Sequence, residues 1–302
     1  MARYGLVVSV AAVIGLAPVA GWAQGYIFSD GFESGNTSQW TSSTNDDTRL
    51  TIDLPGGVTM ELLYVQPGTF LMGSPVDERG RWDWEDLHRV TLTQGYYLGR
   101  YEVTQAQWEA VMGTNPAHSF GVGPDYPVYC VSWNDICGGP TGSGCLPESF
   151  VGRVNAHLGD TRFRMPTEAE WERAARAGTQ TRFSHGDVLD CDDYCGACLT
   201  HDQYMWWCGN NVQSEPVGSK LPNGFGLYDM HGNVWEWVAD WYEQHLGYDP
   251  QTDPTGPTTG SARVYRGGFW NYYALYCRSA IRYSHHPGSS NVTRGFRLAR
   301  SP

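Results

Sequence analysis

The chain has 302 residues, of which 41% are hydrophobic and 17% charged, and its formal net charge is −12. This composition is typical of a globular protein and excludes the low hydrophobicity and high charge of disordered chains. The negative charge disfavours nucleic acid and anionic membrane surfaces as partners, because like charges repel. The 13 Trp, 18 Tyr and 37 Gly predict a core of large amphipathic rings joined by many turns.

The first 23 residues have the pattern of a secretory signal peptide. Arg3 supplies positive charge, Leu6 to Ala17 is an apolar run, and Gly21 and Ala23 place small residues before a cut after Ala23. The run is shorter than the ~20 residues that span a bilayer, which argues against the alternative of a membrane anchor. No later segment is long and apolar enough to span. We therefore expect a secreted or periplasmic protein whose mature chain begins near Gln24.

Eight cysteines follow this leader, and an even number in an exported chain predicts disulfides. They are Cys130, Cys137, Cys145, Cys191, Cys195, Cys198, Cys208 and Cys277. Cys137 and Cys145 flank the flexible sequence GGPTGSG, which a disulfide could close. The four cysteines between 191 and 208 crowd one stretch, where zinc is the alternative. Their spacing, C-x3-C-x2-C-x9-C, matches no usual zinc site, so disulfides are favoured and their connectivity is left open.

The domain organisation follows from composition. Residues 24–50 are rich in Ser, Thr, Asn, Asp and Gly, which predicts a flexible N-terminal segment. Residues 51–302 contain no interdomain linker and no repeat of fixed period, so we expect a single domain there. Alternating or continuous apolar patterns predict strands at Leu50–Leu54, Met60–Val65, Gly68–Ser74 and within His88–Val103.

Two helices have clear start signals. Thr104–Gln107 and Thr167–Glu170 are capping boxes, in which the Thr hydroxyl accepts from the N3 amide while the N3 side chain reaches back. Gly113 and Gly178 are expected to end these two helices. A weaker pattern predicts a third helix over Glu148–His157. After about residue 180 regular structure becomes scarce, and the long irregular chain requires cross-links or an ion.

Six segments between Gly68 and Arg300 resemble, in order, those of the formylglycine-generating (sulfatase-modifying) enzyme family. They are GTFLMGS, YYLGRYEVTQAQWEAVMGTNP, YPVYCVSWNDI, RFRMPTEAEWERAARAGT, PVGSKLPNGFGLYDMHGNVWEWVADW and RVYRGGFW…CRSAIR…GFRLAR. The resemblance covers about three quarters of the chain. It implies an α+β domain related to C-type lectins, loop-rich and with little regular secondary structure.

The segment GLYDMHGNVWEWVADW contains the predicted metal site. Asn233 and Glu236 lie three residues apart, with backbone carbonyl groups between them that include that of Val234. An amide oxygen, one or two carbonyls and a carboxylate suit Ca²⁺, which prefers oxygen ligands. The resemblance also implies calcium binding by this loop. The alternative is that Asn233 caps a turn and Glu236 is solvated.

The resemblance fails at the residues that carry the family's chemistry. The family's enzymes use copper(I) and oxygen to convert a sulfatase cysteine to formylglycine, and soft thiolates suit copper(I). The first implied copper cysteine falls on Tyr272 and the second within Tyr273–Tyr276, while Phe269 replaces an active-site serine. Cys277 corresponds to a structural cysteine of the family, and here it pairs elsewhere, for example with Cys130, or stays free. One thiol cannot supply a two-thiolate site, so copper is not expected.

Aromatic and histidine side chains occupy this C-terminal segment instead. The candidate ligand-binding residues are Tyr272, Tyr273, Tyr276, Tyr283, His285 and His286. Their mixture with Ser and Asn resembles antibody binding loops, and it resembles the variable proteins of diversity-generating retroelements. We therefore predict non-catalytic recognition of a protein, peptide or glycan. The alternatives are rings that merely fill space, and a formylglycine-generating-type oxidoreductase that acts on cysteines of exported sulfatases or other proteins.

Overall fold

The computed structural model describes residues 48–139, 144–188, 191 and 194–302. The chain divides into two units, Met1–Asn45 and Asp46–Pro302, and the description concerns the second. The predicted signal peptide, and nearly all of the predicted flexible segment, lie outside the described residues. The first strand of the domain begins at Arg49.

Short strands and helices joined by long irregular connections make up the described chain. The strands are β1 Arg49–Asp53, β2 Thr59–Val65, β3 Gly68–Met72, β4 His88–Leu92, β5 Tyr96–Gly99, β6 Phe163–Arg164, β7 Trp235–Trp241, β8 Gln251–Thr252, β9 Arg263–Arg266, β10 Arg282–His285, β11 Arg294–Phe296 and β12 Ala299–Arg300. The α-helices are α1 Gln105–Met112, α2 Trp133–Ile136, α3 Phe150–Leu158, α4 Glu168–Arg176 and α5 His201–Tyr204. This confirms the predicted α+β, loop-rich class. Across the described chain, none of the helices combines the length and the apolar character needed to cross a membrane.

Three sheets organise these elements. The first has the order β1-β2-β5-β12-β6, so the C-terminal strand β12 lies between β5 and β6, which precede it by more than 130 residues. The second has the order β10-β9-β7-β11, with β11 parallel to β7. The third is β3-β4-β8. Because β7, β9, β10 and β11 all follow residue 234, the second sheet supports the C-terminal segment in which the binding residues were predicted.

Helix α1 confirms the first predicted capping box. The Thr104 hydroxyl accepts from the Gln107 amide, the Gln107 side chain accepts from the Thr104 amide, and Gly113 ends the helix in the left-handed region at φ 83°. Trp108 on this helix stacks on Phe150 of α3, with ring centroids 5.2 Å apart. The edge of Phe296 meets the same pair, so this helix face and the second sheet share one core.

Helix α4 confirms the second capping box but ends slightly earlier than predicted. Ala177 rather than Gly178 caps it, in the left-handed conformation at φ 48°. The buried Trp171 donates from Nε1 to Glu236 Oε2 at 2.7 Å, which ties α4 to β7. At the other end, Asp240 Oδ2 accepts from the Glu168 amide at 2.8 Å and so satisfies an amide of the first turn.

Asp240 is expected to give the folding stability a pH dependence. Burial, with repulsion from Glu168 and Glu170, raises the pKa of Asp240 from 3.8 to about 8. Between these pH values the folded protein keeps a proton that the unfolded chain has released, so stability falls as pH rises through this window. Asp240→Asn removes the free-energy cost of ionising this buried carboxyl group but keeps an acceptor for the Glu168 amide. We expect it to match the parent near pH 4 and to exceed it by roughly 2–5 kcal/mol near pH 8.

Urea unfolding of both proteins across that pH range measures the effect. Equal slopes of stability against pH for parent and variant would show that Asp240 ionises normally in the folded state. Asp53→Asn at the exposed end of β1 serves as the control, since it makes the same chemical change at an exposed carboxylate.

Three disulfides cross-link the described chain. They are Cys137–Cys145, Cys191–Cys198 and Cys195–Cys208. The first closes GGPTGSG as predicted, and the other two confirm disulfides in the crowded stretch. Cys130 and Cys277 are free thiols, so Cys277 follows the second of its two predicted alternatives. Disulfides of this kind persist in oxidising compartments.

Candidate functional site

The predicted binding tyrosines lie on and next to a tight turn that begins with two glycines. Gly267 and Gly268 both have positive φ, at 98° and 82°. A Cβ on Gly268 would lie 2.3 Å from Cys277 Sγ, so only glycine allows the chain to fold back onto this thiol. The following 3-10 turn, Ala274–Cys277, buries Ala274 and Cys277 and directs the intervening tyrosine outward.

Five rings form a continuous group that we call the aromatic row. Tyr272 and Tyr276 stack with centroids 4.2 Å apart and ring planes 28° apart. Tyr273 lies 6.4 Å from Tyr276 and is 42% exposed. On the other side, Trp82 lies 6.5 Å from Tyr276 and stacks on Trp84 at 4.8 Å. The structure therefore brings three predicted tyrosines together and adds two tryptophans from a distant loop.

Tyr283 joins this group through strand pairing. It lies on β10 opposite Tyr265 of β9, and their rings stack at 6.1 Å. Trp235 meets Tyr283 edge-on at 5.3 Å. Burial and a hydrogen bond with Tyr272 raise the pKa of the Tyr283 hydroxyl. Four of the six predicted binding residues thus share one surface.

The two predicted histidines have different surroundings. His285 and His286 are exposed at the end of β10, where the His286 amide donates to His285 Nδ1 at 3.0 Å. The Gly288 amide donates to His286 Nδ1 at 3.2 Å. Both rings therefore accept hydrogen bonds from amides of their own turn, at the margin of the aromatic row.

A buried group of ion pairs connects the two segments that carry the aromatic row. Arg278 donates to both oxygens of Glu85, at 2.7 and 2.9 Å, and it also binds Glu78. Its Nε donates to the Leu275 carbonyl at 2.9 Å. Arg278 therefore connects the loop that carries Trp82 to the turn that carries the tyrosines. The side chains of Arg278 and Glu85 are both 0% exposed.

The thiol next to the tyrosines is enclosed. Cys277 is fully buried, and burial raises the pKa of its thiol to about 12. Its Sγ lies 3.9 Å from the Tyr273 carbonyl oxygen. Cys130, the other unpaired cysteine among the described residues, is half-buried, and burial raises its thiol pKa as well. Neither thiol resembles an activated thiolate, which requires a lowered pKa and access.

The predicted calcium residues lie in a buried turn at the start of β7. Asn233 has a positive φ of 56°, and its Nδ2 donates to Glu102 Oε2 at 3.2 Å. Both oxygens of Glu236 are engaged by Arg297, whose Nη2 and Nε donate at 2.6 and 2.7 Å. Glu236 therefore neutralises Arg297 in this structure, and the Val234 amide lies 3.4 Å from Glu102 Oε1.

Two further buried carboxylates, Glu102 and Asp229, interact electrostatically beside this turn, and the sequence did not indicate them. Burial raises the pKa of Asp229 to about 6, and burial and the charge of Asp229 raise the pKa of Glu102. Asp229 Oδ1 is buried and has no hydrogen-bond partner within the described residues. Glu102, Asp229 and Glu236 together place three buried carboxylates around one buried guanidinium, that of Arg297. Carboxylate oxygens are the ligand type that Ca²⁺ prefers.

Two solved structures share this architecture. The first is Treponema denticola variable protein 1, with a TM-score of 0.70 at 29% identity over 84% of this chain and 99% of that one. The second is PvdO from Pseudomonas aeruginosa, with a TM-score of 0.67 at 29% identity over 80% of this chain and 94% of that one. The fold and its C-terminal turn define a C-type-lectin-like domain of the formylglycine-generating type.

Sequence comparison gives the family. The family model described as "sulfatase-modifying factor enzyme 1-like domain" matches residues 55–302 of this chain. The formylglycine-generating enzyme of Thermomonospora curvata is 35% identical over 253 residues, which are 79% of this chain and 70% of that protein. The chain belongs to the sulfatase-modifying factor enzyme 1-like family, as its six motifs predicted.

Proposed function

We propose that this family member is an exported recognition protein that binds a protein, peptide or glycan through the aromatic row. The observation that carries the proposal is the position of Tyr272. Its ring stacks on Tyr276 at 4.2 Å, and the family resemblance implies the first copper cysteine at this position of the sequence. The nearby thiol of Cys277 is buried beneath the turn.

The aromatic row has the physical properties of a binding surface. Its tyrosines and tryptophans are half-buried or exposed, so ring area and hydroxyl groups remain available. The stacked rings are already held in place, which reduces the conformational entropy that a ligand must overcome on binding. Arg278 fixes the two segments that carry the row relative to each other. Three disulfides support export, because they are typical of proteins outside the reducing cytoplasm.

Replacing the stacked pair is expected to weaken ligand binding strongly. Aromatic residues at the centre of an interface contribute about 2 kcal/mol or more each, so Tyr272→Ala/Tyr276→Ala should weaken binding at least about thirtyfold. The mature chain is screened on peptide and glycan arrays, and hits are measured by calorimetry with parent and variant. The control is Tyr248→Ala, which removes a 68% exposed tyrosine from another loop. Equal affinities of parent and double variant for every hit would contradict the proposal.

The second candidate function is formylglycine formation, which the 35% identity to the Thermomonospora curvata enzyme favours. It is tested by copper(I) titration and by oxygen consumption with a cysteine-containing sulfatase peptide. We expect no turnover, because the described residues at this turn offer one thiol, buried and with its pKa raised to about 12. Peptide oxidation above the copper-only background would establish the enzyme and overturn the recognition proposal.

We further propose that the β7 turn binds calcium through Asp229 and Glu102. At calcium a hundredfold above its dissociation constant, the folded state gains about 2.7 kcal/mol. Thermal unfolding with excess calcium or with chelator measures this gain. Asp229→Asn is expected to remove most of it and, without calcium, to be more stable than the parent above pH 6, because the raised pKa of Asp229 makes its ionisation costly. Identical unfolding curves with calcium and chelator would exclude the site.

A further inference from the structure

A buried cluster of two histidines and a cysteine pair lies outside the aromatic row. The sulfur atoms of Cys191 and Cys198 and a ring nitrogen of His201 all lie within 4.8 Å of one another. His185 Nε2 lies 3.0 Å from His201 Nδ1. His201 is 0% exposed and the two cysteines are each 6% exposed. Cys191, Cys198 and His201 therefore form a buried group with metal-ligand chemistry, and the half-buried His185 adjoins it through His201.

Neighbouring rings hold the two imidazoles in place. His185 lies between Phe183 and Tyr204, at centroid distances of 5.1 and 4.6 Å, and is nearly parallel to both. Phe183 also meets His201 edge-on at 4.7 Å. The cluster is thus preorganised by packing, and its geometry does not depend on the disulfide alone.

The covalent framework keeps two of the ligands together when the Cys191–Cys198 bond opens. Cys198 and His201 both lie within the loop that the Cys195–Cys208 disulfide closes. The Asp202 carboxylate accepts from the Cys198 amide at 3.1 Å, which fixes the backbone at this cysteine. Cys191 and His185 reach the cluster from outside that loop.

We propose that Cys191, Cys198, His201 and His185 bind Zn²⁺ when the Cys191–Cys198 disulfide is in its dithiol form. Zinc prefers four tetrahedral sulfur and nitrogen ligands, with Zn–S about 2.3 Å and Zn–N about 2.0–2.1 Å. Two nitrogen ligands of such a site are about 3.3 Å apart, so the 3.0 Å hydrogen bond between His185 Nε2 and His201 Nδ1 opens by a few tenths of an ångström when both bind the metal. Sulfur–sulfur and sulfur–nitrogen separations in a tetrahedral zinc site are about 3.5–3.8 Å, so the group within 4.8 Å contracts by about 1 Å on binding.

The conversion balances as a two-electron exchange followed by metal binding. A dithiol reductant supplies two electrons and two protons, the S–S bond breaks, two thiols form, and the reductant becomes a disulfide. Zn²⁺ then displaces the two thiol protons and forms two Zn–S bonds. Two thiolates, two neutral imidazoles and one Zn²⁺ have no net charge, which suits a buried location. Because both states use the same two sulfur atoms, the loop is cross-linked either by the disulfide or by zinc, and never by both at once.

The test uses the full chain, reduced under nitrogen with an immobilised phosphine and titrated with Co²⁺ as a spectroscopic probe for zinc. We expect the visible absorption of tetrahedral Co²⁺ with thiolate charge-transfer bands, lost on addition of Zn²⁺. Alkylation of the reduced protein with and without zinc, followed by peptide mass spectrometry, should find that zinc protects Cys191 and Cys198 and leaves the labelling of Cys195 and Cys208 unchanged.

Single variants separate this site from incidental thiol binding. His201→Ala and His185→Ala leave every cysteine in place and are each expected to weaken Co²⁺ binding by at least about tenfold. Cys137→Ser/Cys145→Ser, which removes a disulfide with no histidine beside it, is expected to bind like the parent. Octahedral Co²⁺ spectra in the reduced parent, unchanged affinity in His201→Ala, or protection of Cys195 and Cys208 would each overturn the proposal. Thermal unfolding of the oxidised variants confirms that they fold.

Discussion

Arg278→Met is expected to lower the free energy of unfolding by about 3–5 kcal/mol, because it leaves buried carboxylates without their counter-charge. Arg278 binds both oxygens of Glu85, and neither side chain is exposed to solvent. It also binds Glu78. Burial raises the pKa of Glu78 overall, and the charge of Arg278 opposes this rise. Without Arg278, two carboxyl groups must take up protons or draw water into the core.

The same change is expected to weaken ligand binding by more than the loss of stability explains. Arg278 joins the Trp82 loop to the turn that carries Tyr272 and Tyr276, so its removal separates the two halves of the aromatic row. Calorimetry under conditions where the variant is fully folded measures this effect. Arg162→Met is the matched control, since it breaks an ion pair with Asp160 in which the arginine is 48% exposed, and it should cost about 1 kcal/mol or less. A similar small cost for Arg278→Met would show that the buried network is not structurally required.

Local sequence patterns predicted the parts of the fold that depend on neighbouring residues. Both capping boxes lie within four residues, and each can be recognised from the hydroxyl and the side chain that reaches back to it. The Cys137–Cys145 bridge closes a short glycine-rich loop for the same reason. The six motifs then gave the family and hence the arrangement of elements, which periodicity alone did not provide.

Contacts between distant segments were not visible in the sequence. Trp82 reaches Tyr276 only because Arg278 and Glu85, 193 residues apart, form an ion pair beneath them. The sequence RWDWED offered a hint, since two tryptophans among charges are unusual in an exposed loop. The pairing of His185 with His201 was not visible because they are 16 positions apart in the sequence, and both rings pack against Phe183 in the fold.

Glu236 illustrates why spacing alone did not assign a role. Its position three residues after Asn233 resembled a calcium-binding pattern, while its partner Arg297 lies 61 residues further along the chain. A carboxylate that neutralises a buried guanidinium has less to offer a metal ion, because both oxygens already accept charged hydrogen bonds. The carboxylate with an oxygen to spare is that of Asp229, within the same loop.

Glu236→Ala is expected to destabilise the protein by about 3–5 kcal/mol, since it leaves the fully buried Arg297 without its bidentate partner. It also removes the acceptor of the Trp171 indole N–H. Chemical denaturation measures the loss. The double variant Glu236→Ala/Arg297→Met removes both charges and should recover part of the stability, because breaking a buried pair costs more than replacing it.

The double variant also decides which carboxylates serve calcium. It leaves the net charge of the turn unchanged, so Asp229 and Glu102 keep the same excess of negative charge. If these two residues bind the ion, calcium stabilises the double variant as much as the parent. If Glu236 is the ligand, the stabilisation disappears in the double variant while Asp229→Asn leaves it intact. The two patterns are opposite, and thermal unfolding of three proteins with and without calcium distinguishes them, because only the true ligand couples folding to the metal concentration.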